Sequence, residues 1–147
     1  MTRYLLAVDF QSGPDDTPMT EWKPEEVQAH LDYYEALHKE LVASGELVDS
    51  QVLTGPDLAK IVASDGKAAP VITDGPFSEF KEWLAGYQIV DVETEARALE
   101  IAARLSAVPG RGGRATEQPI QVRQVMDRSP RDTESMDSYL EKAGTRS

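Results

Sequence analysis

The chain predicts an α+β fold with a split βαβ pattern, and three observations carry that expectation. A clean two-residue alternation opens the sequence, a long amphipathic stripe follows it, and a second helical stretch stands just before a final apolar strand. In residues 3–10, Tyr4, Leu6, Val8 and Phe10 share one face while Leu5, Ala7 and Asp9 share the other, as in a strand partly buried on both sides. The stretch QSGPDDTPMT is rich in turn formers and predicts a mobile loop. Val27, Leu31, Tyr34, Leu37, Leu41 and Val42 then recur at spacings of three and four. Pro24 and two acidic residues precede them, and Gly45 follows as a C-cap would. That spacing predicts a helix of about five turns.

Leu47 to Leu53 reads as a strand broken by Gly55-Pro56. The apolar runs LAKIVAS and AAPVIT flank Asp65-Gly66, a dipeptide suited to a tight hairpin. Residues 85–92 make a further strand. From Glu93 to Val108 an alanine-rich helix is expected, with Ala96, Leu99 and Ala103 on one face and Ile101, Leu105 and Val108 on another, so covered on more than one side. VPGRGGRATEQP predicts a flexible connection, and IQVRQVM the last strand. One domain over residues 1–127 is expected, with a C-terminal tail over 128–147. In that tail Met136, Tyr139, Leu140 and Ala143 fall on one helical face, so a short helix docked across a dimer is expected rather than a free end.

Composition excludes several function classes. At 147 residues the chain buries enough surface for one real core. With 40% hydrophobic and 28% charged residues it reads as a soluble protein, without an apolar run long enough to span a bilayer. MTRYLLAVDF turns acidic at Asp9 before a secretory apolar region is complete, so a first strand and a cytoplasmic location are expected, with no membrane partner. The absence of cysteine excludes disulfides, thiolate nucleophiles and the usual structural zinc sites. A formal charge of −11 argues against nucleic acid; Arg111, Arg114 and Arg123 read as a solvated loop.

The most informative stretch is TDGPFSEFKEWLAGYQIVDVET, residues 73–94. Asp74, Gly75 and Pro76 suffice to reverse the chain, and Asp74 then organises the turn or caps a short helix. Glu79, Lys81 and Glu82 are in that reading a solvated face. In the functional reading, Gly75 ahead of proline lets the Asp74 carboxylate be aimed into a cleft, with Lys81 or Glu79 as its partner. His30, Tyr34 and His38 lie one turn apart within or beside the apolar stripe of the first helix, so both histidines face inward or toward a cleft. A histidine beside a carboxylate suits general base work, because its ordinary pKa lies near neutrality. The same histidines also suit half-buried positions bonded to backbone.

That stretch, followed by a helix and PIQVRQVM, resembles the YCII-related family in its DGPF-domain branch, over residues 3–126. The resemblance implies a ferredoxin-like fold pairing sheet to sheet as a dimeric α/β barrel, hence a homodimer with a cleft near the motif. It implies little agreed activity: some members of the wider group resemble dehalogenating proteins acting on chlorinated aromatics, and many DGPF members are encoded beside extracytoplasmic-function sigma factors. In shorter members a first-helix histidine is thought to pair with an acidic residue; its position here is Tyr34, so that dyad is not carried over.

Two functions are therefore expected of different kinds. One is a small-molecule pocket doing acid/base chemistry, with Asp74, His30 and His38 as the catalytic candidates and Tyr34, Phe77, Glu79 and Lys81 as ligand contacts. The other is a non-catalytic module that binds a ligand or a protein partner such as a sigma factor. Other patterns fail on context. Ser78 to Lys81 spells S-x-x-K without its companion motifs, and Gly110, Gly112 and Gly113 lack the strand-to-helix setting of a nucleotide loop. Glu26 and His30 have ligand spacing but no third ligand, so neither a metal nor a cofactor is implied.

Overall fold

A computed structural model describes residues 1–9, 13–74, 83–126 and 129–143, the side chains of residues 142 and 143 aside. Strands β1 (Thr2–Asp9), β2 (Leu47–Val52), β5 (Leu84–Val92) and β6 (Ile120–Gln124) form one antiparallel sheet in the order β2-β5-β1-β6. Helix α1 (Pro24–Ser44) joins β1 to β2, and α2 (Glu95–Ser106) joins β5 to β6. Each crossover therefore connects strands separated by one neighbour, which is the split βαβ arrangement of a ferredoxin-like fold. Strands β3 (Lys60–Ala63) and β4 (Val71–Asp74) form a separate hairpin inserted between β2 and β5.

Register follows from alternation. Tyr4 stands opposite Val90 and Gln124, and Leu6 opposite Gln88 and Val122. This face meets the helices in a core of Tyr4, Leu6, Leu37, Leu41, Val90, Val92, Ala98, Ile101, Ala102 and Leu105. Leu5 and Ala7 point to the opposite face with Ile89, so they do not share an apolar row with Val90 and Val122.

Helix α1 begins with Pro24 at its first position, and the Glu26 carboxylate accepts the Lys23 backbone N–H at 2.9 Å. It ends at Gly45, whose φ of 79° is the left-handed conformation glycine adopts without strain. Thr94 caps α2 by accepting the Arg97 N–H at 3.2 Å. Two forked ion pairs tie α2 to α1 and to the turn that follows it. Arg104 reaches both Glu40 carboxylate oxygens at 2.8 and 2.7 Å, and Arg97 reaches both oxygens of Glu46 at 2.9 Å. Arg97 and the neighbouring Ser44 hydroxyl hold the Glu46 carboxyl down at about 2.

Three expectations need correction. Helix α2 buries a single stripe of Ala98, Ile101, Ala102 and Leu105, while Leu99 is 50% exposed, because among the described residues its cover comes from the side of the sheet and α1. The hairpin is not closed by a tight Asp65-Gly66 turn: residues 64–70 link the strands, and Asp65 accepts the N–H groups of Lys67 and Ala68. The glycine-rich connection is ordered by backbone bonds, with Gly110 N–H to Arg114 O at 2.6 Å and Thr116 N–H to Val108 O at 2.9 Å. Within it Arg111 is not a merely solvated cation, since its Nε donates to Asp15 at 2.9 Å. The tail forms α3 (Thr133–Ala143), with Met136 and Leu140 partly exposed along it. No helix among the described residues is long and apolar enough to cross a membrane.

Candidate functional site

Between α1 and one end of the sheet lies a cleft of about 450 Å³, within the range of small-molecule sites. Helix α1 contributes Leu31, Tyr34, Glu35 and His38, one turn apart along the stripe that continues into the core through Leu37 and Leu41. The sheet contributes Val8, Ser50, Val52, Ala85, Gly86 and Gln88, and Leu105 of α2 closes the inner end. A β-bulge at the start of β5 places both Val8–Gly86 and Asp9–Leu84 in register and leaves Ala85 as the extra residue.

Gly86 of β5 stands where the neighbouring strand approaches closely. It pairs with Val8 on one side and Val52 on the other, and an added Cβ would lie 2.9 Å from the Gln51 carbonyl oxygen. Its lack of a side chain allows the close approach of β2 and leaves the cleft floor open.

Of the residues singled out from the sequence, Tyr34 and His38 border the cleft. Tyr34 is a phenol able to donate a hydrogen bond at neutral pH, and burial, with a smaller effect from Tyr33, raises its pKa further. His30 sits behind it, its ring 5.0 Å edge-on from Tyr34 and 5.4 Å from Trp22. His30 Nδ1 lies 2.9 Å from the Pro109 carbonyl, which only accepts, so this nitrogen carries the proton. Asp74 ends β4, where its carboxylate pairs with Lys60 across the hairpin. Neither His30 nor Asp74 is among the described cleft residues. Phe77, Glu79 and Lys81 lie outside the described residues, in the segment joining Asp74 to Trp83.

Glu26 does not hold a ligand with His30, because its two oxygens accept the backbone N–H groups of Lys23 and Gly112. Among the described residues no group of three or more His, Asp or Glu is arranged to hold a metal.

Gln88 and Ser50 are among the site residues that sequence reasoning missed. They stand opposite each other in register, and Gln88 occupies the inward row that Val90 and Val92 continue into the core. Its Oε1 is buried and has no hydrogen-bond partner among the described residues. Such an orphan costs about 1–3 kcal/mol. The signal was present in GYQIVDV, where a polar residue shares parity with two core valines.

A second cavity of about 440 Å³ lies between residues 14–17, Trp22 and residues 110–117. Its charges satisfy one another: Asp15 accepts from Thr17 N–H at 3.0 Å and pairs with Arg111, and these bonds, those from Thr17 above all, bring its carboxyl to about 2. It offers a ligand less than the α1 cleft does.

A protein of Rhizobium meliloti (strain 1021), itself uncharacterised, is 29% identical over 92 residues, covering 63% of this chain and 73% of that protein. The family model for the YCII-related domain matches residues 13–120, which span α1, the hairpin, β5 and α2 and stop at the first residue of β6. With the ferredoxin-like strand order and that match over more than half its length, the chain belongs to the YCII-related family.

Proposed function

We propose that this protein binds a small organic molecule in the cleft between α1 and the sheet, and that His38 exchanges a proton with it. One observation carries the reading: a mainly apolar hollow of about 450 Å³ gathers His38, Tyr34, Ser50 and the unsatisfied Gln88 beside Val8, Leu31, Val52 and Leu105, with Glu35 and Gln51 also on its walls. In this reading His30, bonded to Pro109, orients Tyr34, while Asp74, paired with Lys60, fixes the hairpin from which the DGPF segment leads to β5. The functional unit is proposed to be a homodimer in a cytoplasmic setting, its subunits meeting on the sheet face of Leu5, Ala7 and Ile89, opposite α1 and α2.

The test is a thermal-shift screen of small organic compounds against the wild type and Leu31→Trp. Leu31 is 53% exposed and borders the cleft, so a tryptophan there obstructs it without disturbing the core. Stabilising compounds are expected to lose their effect in the variant, and any turnover to disappear in His38→Ala. Hits that stabilise Leu31→Trp fully would place the ligand elsewhere.

The non-catalytic reading draws support from the hairpin, where Val62 and Ile72 stand opposite each other and are each 61% exposed. A protein partner such as a sigma factor would cover that pair. Binding of a purified sigma factor that Val62→Asp abolishes, with ligand shifts intact, would favour this module over the pocket.

A further inference from the structure

We propose that the ligand of the α1 cleft is an uncharged, ring-sized molecule carrying an N–H or O–H donor, and that Gln88 selects it. This rests on the small-molecule reading of the cleft and adds the chemical class. Strand β5 presents Gly86, Gln88, Val90 and Val92 toward the helices, and Leu6, the neighbour of Gln88 on β1, is fully buried. A polar side chain in such a row is unfavourable unless something pairs with it. Nothing does among the described residues: Gln88 Oε1 is shut off from water without a donor. Gln88 also borders the cleft, and the terminal torsion of a glutamine is soft, so its amide turns toward an arriving donor at little cost.

Size and charge narrow the class further. Val8, Leu31, Val52, Ala85 and Leu105 offer apolar contact to a ring or short aliphatic body. Among the described residues lining the cleft there is no lysine or arginine, and its Glu35 is already paired with Lys39 at 3.1 Å. The chain carries a formal charge of −11, so an anionic ligand finds no fixed cation on the walls and approaches against the net charge. Tyr34, a neutral phenol at neutral pH, supplies a donor to the acceptor lone pairs of the same hydroxyl or amide. A neutral alcohol or amide satisfies both residues, and a hydrocarbon satisfies neither.

Toluene, benzyl alcohol and benzoate distinguish these classes on the full chain, with affinity read by thermal shift and the Gln88 side-chain amide followed by ¹H–¹⁵N NMR. Benzyl alcohol is expected to bind at least as tightly as toluene although it prefers water, to move the Gln88 amide signals, and to outbind benzoate. In Gln88→Leu the preference for the alcohol over toluene should fall about tenfold, the worth of one good hydrogen bond. Should that variant fail to fold, the wild-type ranking and the amide shift decide. Tightest binding by benzoate, or toluene clearly ahead of the alcohol with the Gln88 amide unmoved, would overturn the donor preference and leave the cleft standing. No binding by any of the three would remove the cleft reading and this inference together.

Discussion

Two antiparallel pairings in this chain have the same hydrogen-bonding logic and unlike support. In β1–β5, Leu6 and Val90 lie under α1 and α2 and are fully buried. In β3–β4, Val62 pairs with Ile72 and both are mostly exposed, with the Lys60–Asp74 ion pair at the open end. A two-stranded hairpin alone is marginal in water. What separates the two regions is burial rather than backbone bonding, so the residue that opens the DGPF motif belongs to the less supported of the two pairings, which is expected to open more readily than β1–β5. The cleft lies on the firm side of that division, walled by α1 and β5.

The largest effect that sharpens this contrast is a pair of truncations. Leu41→Ala removes a fully buried side chain and should lose about 2–5 kcal/mol in urea unfolding. Ile72→Ala should lose under about 1 kcal/mol. If the hairpin truncation costs as much as the core one, and more so at higher protein concentration, a second copy covers the hairpin and the contrast vanishes on assembly.

Gly86→Ala comes next. Its new methyl group meets the Gln51 backbone, which cannot swing aside as a side chain would, so a loss of about 1–3 kcal/mol is expected with weaker ligand binding. A neutral substitution would mean that β2 and β5 separate freely there.

Smaller still is Glu46→Gln, which breaks the forked pair with Arg97. The folded carboxyl titrates at about 2, below its ordinary 4.5, so its contribution is present above about pH 4.5 and is lost as pH falls toward 2. The variant should be less stable at pH 7 by about 1 kcal/mol, since the pair is partly exposed, and should lose less between pH 5 and 2 than the wild type does. Parallel pH profiles would show that the pair contributes nothing.

Legibility in the sequence followed the same division. Helix α1 was readable because Leu37 and Leu41 are both periodic and buried, and β1 because its alternation is literal. Helix α2 was misread in its faces: alanine is too small to mark a buried side, so Ala96 and Ala103 looked like a second stripe although only Ala98 and Ala102 are covered. The Asp65-Gly66 signal was real as local chemistry, since Asp65 does bond the following N–H groups, but it lies within a longer connection whose length the dipeptide does not encode. Among the site residues, Tyr34 and His38 were found through helical spacing, whereas Gln88 needed the register of β5, a long-range fact. The partners of Asp74 and His30, Lys60 and the Pro109 carbonyl, come from segments distant in sequence for the same reason.

The most direct test of the cleft assignment is backbone ¹H–¹⁵N shift mapping of the wild type with a compound that stabilises it. Perturbations are expected at residues 31–38, 50–52 and 85–88, with the second cavity at residues 14–17 and 110–117 unmoved. Perturbations concentrated at the second cavity, or on the hairpin at residues 60–74, would contradict it.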